Sequence, residues 1–149
     1  MAKTWGTPTW YLFHTMAEHV RPEFYDAQKS NIVSYIKTIC SLLPCPICRD
    51  HAVAYTRSLN DRMVPTKEAL KQYLFTFHNS VNERLKKPKF TNYDMYKTMK
   101  LREVFLNFET EFLKNNVLSR KFFEQQHRRN LLTAMRSYFM SNAAAFVWL

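Results

Sequence analysis

The sequence predicts an all-α protein. Three observations carry this: glycine occurs once, at Gly6, in 149 residues; apolar side chains recur at spacings of three and four; and prolines stand where those runs end. Hairpins and tight strand connections draw on residues that adopt positive φ, glycine above all, so this chain has few places to make them. The same scarcity excludes glycine-rich dinucleotide loops and Walker-type phosphate loops. A chain of this length, 46% hydrophobic, encloses one apolar core without a staple.

Each element follows in order. Trp10, Phe13, His14 and Ala17, after Pro8, predict a first helix that ends before Pro22. Ser30 reads as the N-cap of a second helix with the stripe Ile32, Ile36, Ile39, Cys40 and Leu43, stopped by Pro44. Pro46 suits the first turn of a third helix, which places Cys45 near its N-cap and carries it through His51 and Tyr55. Thr66 caps the longest run: Leu70, Tyr73, Leu74, Phe77, His78, Val81 and Leu85. A basic stretch, Arg84, Lys86, Lys87 and Lys89, is broken by Pro88 and precedes a short helical segment from Tyr93 to Met99. Residues 1–100 thus read as one compact helical unit and 101–149 as a helical extension. In the extension Val104, Phe105, Phe108 and Phe112 mark one amphipathic helix. After Asn115-Asn116, the residues Phe123, Leu131, Leu132, Met135 and Phe139 mark another. The extension reads as packed on the core or on a second subunit; Arg120, Lys121, Arg128, Arg129 and Arg136 also allow a basic helix lying on a surface.

A net charge of +10 implies attraction to something anionic: nucleic acid, a membrane surface, an acidic protein or a phosphate-bearing cofactor. The N-terminus lacks the uninterrupted apolar run of a signal peptide, so secretion is not expected. The apolar end from Ala143 to Leu149 is far shorter than the roughly 20 residues of a membrane span. It is expected to dock, not to cross.

Three cysteines, clustered between positions 40 and 48, are too few for a secreted disulfide framework and point to redox or metal chemistry. Cys45 and Cys48, two residues apart at a helix start, can form a small-ring disulfide, and the positive end of the helix dipole favours the thiolate of the first. The competing reading is a structural zinc site of Cys40, Cys45, Cys48 and His51 in a basic helical nucleic-acid-binding module. Against it, Cys40 falls on the Ile36–Ile39 stripe, where a buried small hydrophobe is the usual role. A thioredoxin motif is excluded because it follows a strand, and this one follows a helix. His14 and His78, taken singly, read as core histidines. Asn79 and Asn82 are amides beside an aromatic stripe; they need partners, which a flat polar ligand would supply, and the Arg84–Lys89 cluster suits a pyrophosphate.

Three separated segments, WGTPTWYLFHTMA, LLPCPICRDHA and HNSVNERLKKPKF, together resemble the Erv/ALR sulfhydryl oxidases over roughly residues 5–99. The last string is the most specific. The resemblance implies a four-helix bundle with a short fifth helix holding FAD. Gly6, Thr9, Trp10 and His14 would line the cofactor. His78, Asn79, Val81, Asn82, Leu85 and Lys87 would contact its adenine and phosphate end, with Lys86 and Phe90 nearby. Cys48 would be the flavin-proximal cysteine and Cys45 the interchange cysteine that takes electrons from a substrate dithiol, with O2 as final acceptor and H2O2 as product. The chain departs from the family pattern in three ways. No cysteines follow Cys48 to make the long-range structural disulfide, no tail carries a shuttle pair, and the late tryptophan is missing, its place falling to Tyr93 or Tyr96. These absences resemble the minimal members encoded by large cytoplasmic DNA viruses. The implied partner is a dithiol protein or a thioredoxin-like relay protein; the implied assembly is a homodimer. The implied location is the host cytoplasm or virion, or alternatively the mitochondrial intermembrane space, with no membrane span and no need of nucleic acid.

Overall fold

A computed structural model describes residues 4–114 and 122–148, most of which lie in six α-helices. These are α1 (Gly6–His19), α2 (Tyr25–Ser41), α3 (Pro46–Thr56), α4 (Lys67–Arg84), α5 (Leu101–Phe112) and α6 (Phe122–Ser141). Short 3-10 turns occupy Pro22–Phe24, Asp61–Met63, Tyr93–Lys97 and Ala143–Ala145. Among the described residues there is no strand, only an isolated bridge between Val20 and Phe146. Among the described residues no helix is long and apolar enough to cross a membrane.

α2 starts five residues before the expected cap. Pro22 opens a 3-10 turn that leads straight into Tyr25, and Ser30 is interior, its hydroxyl donating to Asp61 Oδ2 at 2.8 Å. The extra turn is held by buried polar residues that hydrophobic spacing does not register. The Tyr25 hydroxyl donates to the Val64 carbonyl (2.7 Å), and Gln28 accepts from the Tyr138 hydroxyl (2.6 Å) while donating to Asn142 Oδ1 (3.1 Å). α4 starts as expected, with Thr66 Oγ1 accepting from the Ala69 N–H at 3.1 Å. It ends in a turn where the Lys87 N–H bonds the Asn82 carbonyl (2.8 Å) and the Lys86 N–H bonds that of Glu83 (3.1 Å). That turn puts Lys86 at φ 57°. The Tyr93–Met99 segment is a 3-10 turn over Tyr93–Lys97.

α5 packs along α1 and buries Leu101, Val104, Phe105, Phe108 and Phe112. α6 lies against α2 and buries Leu131, Leu132, Met135, Tyr138 and Phe139. The surface-lying reading of this helix fails at Arg128, which is 2% exposed and donates to the Leu42 carbonyl at 2.6 Å. The buried face begins at Gln125 and not at Phe123, which is exposed. Arg136 is exposed and holds Glu109 with two short contacts, 2.6 and 2.7 Å, tying α6 to α5. The Asn115-Asn116 break, Arg120 and Lys121 lie outside the described residues. The apolar end docks on this same chain: Phe146 is fully buried, Val147 N–H bonds the His19 carbonyl and Arg21 N–H that of Ala145, both at 2.8 Å. Buried apolar residues from all six helices form one cluster.

Candidate active site

The first turn of α3 is organised by sulfur. Cys45 is the N-cap, in extended backbone, and its Sγ accepts from the Cys48 N–H at 3.3 Å. Pro46 occupies the first helical position, where its missing N–H costs nothing. Both cysteines are half-buried, and Ile47 between them is 67% exposed, so one side of the turn faces solvent. The other side closes on a narrow slot of about 50 Å³ between α1, α2, α3 and α4. Cys48 lines it together with Gly6, Thr9 and Trp10 of α1, Cys40 of α2, and Phe77, Val81 and Arg84 of α4.

The slot shares Gly6, Trp10 and Val81 with a wider cavity of about 260 Å³, whose wall carries Thr7, His78, Asn82, Leu85 and Lys87. Gly6, at the entry of α1, presents no Cβ to either space. Neither lining contains a carboxylate, and Arg84 and Lys87 supply positive charge. An apolar slot that ends at a cysteine and adjoins a cationic, amide-bearing cavity has the donor set for a flat aromatic ring bearing a phosphate tail. The residues present therefore fit FAD.

Behind the cavity stands a stack of rings. Trp10 and His78 are parallel within 7° at 4.2 Å, Phe90 covers His78 at 4.8 Å, and Tyr96 stacks on His14 at 4.6 Å. His14 Nε2 and His78 Nδ1 share a hydrogen bond of 2.9 Å. Burial, then the neighbouring His78, lowers the pKa of His14 to about 3. Burial, then Lys87, lowers that of His78 to about 4, so both rings are neutral at pH 7 and the N–H of one donates to the bare nitrogen of the other.

Of the expected ligand residues, Gly6, Thr9, Trp10, Cys48, His78, Val81, Asn82, Leu85 and Lys87 line the two adjoining spaces. Others stand apart. His14 reaches the cavity only through His78, while Thr9, though on the slot wall, spends its hydroxyl on the Trp5 carbonyl (2.6 Å). The amides taken to await a ligand have protein partners. Asn79 donates to the Phe90 carbonyl (3.1 Å) and accepts from the Phe90 N–H (2.7 Å), while Asn82 donates to the Pro88 carbonyl (3.3 Å). Both fold the Lys86–Phe90 turn back onto α4. Lys86 is exposed at that turn, and Phe90 and Tyr96 contribute rings to the stack.

Cys40 also lines the slot but is fully buried, and burial pushes its thiol up to about 12 against the opposing effect of the Thr56 hydroxyl. It stays protonated. No three His, Cys, Asp or Glu side chains converge among the described residues, so the alternative zinc set of Cys40, Cys45, Cys48 and His51 is not assembled. Sequence reasoning missed Thr7, which carries no periodic signal.

Fold and site together define a helical protein with a paired-cysteine turn at the end of a narrow slot that adjoins a wider, lysine-bearing cavity. A model of the Erv1 / Alr family matches residues 7–104, and the chain belongs to that family. It is similar to protein 347L of Invertebrate iridescent virus 6, 36% identical over 94 residues, covering 56% of this chain and 81% of that one. It is 30% identical over 95 residues to the FAD-linked sulfhydryl oxidase of African swine fever virus (isolate Pig/Kenya/KEN-50/1950), covering 64% and 78%. It is 31% identical over 85 residues to the mitochondrial FAD-linked sulfhydryl oxidase ERV1 of Saccharomyces cerevisiae, covering 57% of this chain but 44% of that protein. No solved structure matches the chain, and no match supports the nucleic-acid alternative.

Proposed function

We propose that the protein is an FAD-linked thiol oxidase that makes disulfides in protein substrates through Cys45 and Cys48 and passes the electrons to O2, giving H2O2. The observation that carries this reading is the position of Cys48: half-buried, one helical turn inside Cys45, on the wall of the slot that shares Gly6, Trp10 and Val81 with the cationic cavity. Membership of the Erv1 / Alr family supports it.

Cys45, at the solvent-facing N-cap, is the interchange cysteine. The N–H at the start of α3 that its sulfur accepts also stabilises the thiolate left after exchange. Cys48 is the inner cysteine, which returns the electron pair to the cofactor. Trp10, Phe77 and Val81 would hold the ring, His78 and Asn82 its polar edge, and Arg84 and Lys87 its phosphates. Bound FAD would supply a two-electron acceptor that oxygen can reoxidise. Neutral His78, hydrogen-bonded to His14, is suited to hydrogen-bond a ligand without adding charge.

In this reading residues 1–100 carry the cofactor and the redox pair, and residues 101–149 brace them. The substrate is a dithiol protein or a thioredoxin-like relay, the working form is a homodimer, and the site of action is the host cytoplasm or virion of a large DNA virus. Light scattering tests the assembly: twice the chain mass is expected, and a monomer at working concentration contradicts it. For the chemistry, Cys45→Ser and Cys48→Ser should each abolish oxygen consumption with dithiothreitol, whereas Cys40→Ser should keep most of it. Full turnover in either of the first two variants would overturn the assignment.

A further inference from the structure

We propose that the start of α6 forms a docking rim for the substrate polypeptide, with Ile47, Phe122 and Phe123 as specificity-determining residues that favour apolar flanks on the dithiol. This rests on the thiol-oxidase reading.

The rim is built from two anchors. Arg128, 2% exposed, donates to the Leu42 carbonyl at 2.6 Å, three residues before Cys45, and its guanidinium also reaches Gln125 Oε1 at 3.1 Å. Four residues earlier on α6, Glu124 pairs with Arg49, the neighbour of Cys48, at 3.4 Å. One turn of α6 therefore grips both sides of the redox turn. Directly before Glu124 stand Phe122 and Phe123, 60% and 75% exposed, their rings edge to face at 5.8 Å. Ile47, between the two cysteines and two residues before Arg49, is 67% exposed. Three large apolar residues thus stay in water around the one place where the reaction needs a polypeptide.

The chemistry says what covers them. A substrate thiolate attacks Cys45 Sγ of the Cys45–Cys48 disulfide, forming an intermolecular S–S bond and releasing the Cys48 thiolate. The second substrate thiol, losing its proton, then attacks the substrate sulfur and releases the Cys45 thiolate. Two electrons leave the substrate, its disulfide closes, and the Cys45–Cys48 pair is reduced. An S–S bond of about 2.05 Å brings the residues flanking the substrate cysteine over Ile47 and the rim. α6 lies beyond residues 7–104, which the family model matches, so Phe122 and Phe123 come from the extension and Ile47 from the matched part.

The test compares kcat/KM of the FAD-loaded protein for dithiothreitol and for two short dithiol peptides, one with leucines and one with serines beside the cysteines. Wild type should prefer the leucine peptide roughly tenfold, the scale of burying one large apolar side chain. Phe122→Ser/Phe123→Ser should abolish that preference and leave dithiothreitol turnover unchanged. A wild type indifferent to the flanks, or a preference retained in the double variant, overturns the rim, and Ile47→Ser should weaken the preference as well. Absence of dithiothreitol turnover in wild type would instead sink the oxidase reading itself.

Discussion

Lys86 holds a left-handed conformation, φ 57°, at the turn after α4 where glycine is the usual occupant. A side chain there costs on the order of 1 kcal/mol. Lys86→Gly should therefore raise the urea midpoint of the apoprotein, and an unchanged or lowered midpoint would contradict the strain. The paired histidines make a second residue-scale prediction. Both have folded pKa values below the ordinary 6.5, so the unfolded chain binds more protons as pH falls from 6.5 toward about 4. Their contribution is complete above pH 6.5 and is lost progressively through that window. Urea midpoints measured from pH 6.5 to 4 should fall, and fall less steeply in His14→Gln; equal slopes would disprove the role of the pair. At this scale the sequence was most readable where chemistry forces a residue type. Cys48 and the motif carrying His78, Val81 and Asn82 line the two adjoining spaces, and Cys45 and Pro46 build the helix start that holds Cys48 there. What the sequence does not reveal is the partner that Asn79 finds in the backbone of Phe90, eleven residues on.

Helices α3 and α4 were legible because their caps are local: a proline after Cys45 and a threonine before an apolar stripe. α2 was cut short because Tyr25 and Gln28, which hold its first turn, find their partners in Val64, Tyr138 and Asn142, far along the chain. α6 was ambiguous for the same reason. A helix rich in arginine looks solvated until Arg128 is seen to end on a carbonyl 86 residues away. Removing that side chain leaves the Leu42 carbonyl and Gln125 without their donor. Arg128→Ala should cost about 2–3 kcal/mol in equilibrium unfolding. A loss below about 0.5 kcal/mol, the size of an exposed ion-pair change, would mean that the grip on the redox turn is not structural.

One apolar cluster draws on every helix, and α5 and α6 give it Phe105, Phe108, Phe112, Met135 and Phe139. The sequence divides at residue 100 into a motif-bearing part and an extension, yet packing joins them: α5 runs along α1, and Phe146 sits fully buried beside the end of α1. The division is visible in the motifs because chemistry demands them, while the joining depends on apolar packing and on long-range hydrogen bonds such as Arg128 to the Leu42 carbonyl. A chain truncated after Lys100 should lose its cooperative thermal transition; a truncated chain that melts sharply and keeps its cofactor would show that the extension is dispensable for folding. The central claim is that Cys48 exchanges electrons with a flavin in the slot. It is tested most directly by the visible spectrum of the purified, FAD-loaded protein during anaerobic addition of dithiothreitol, followed by air. The flavin band should bleach in wild type and return on aeration, and Cys48→Ser should bind FAD yet fail to bleach at a comparable rate. Bleaching at the wild-type rate without Cys48, or a wild-type protein that stays colourless when supplied with FAD, would contradict the account.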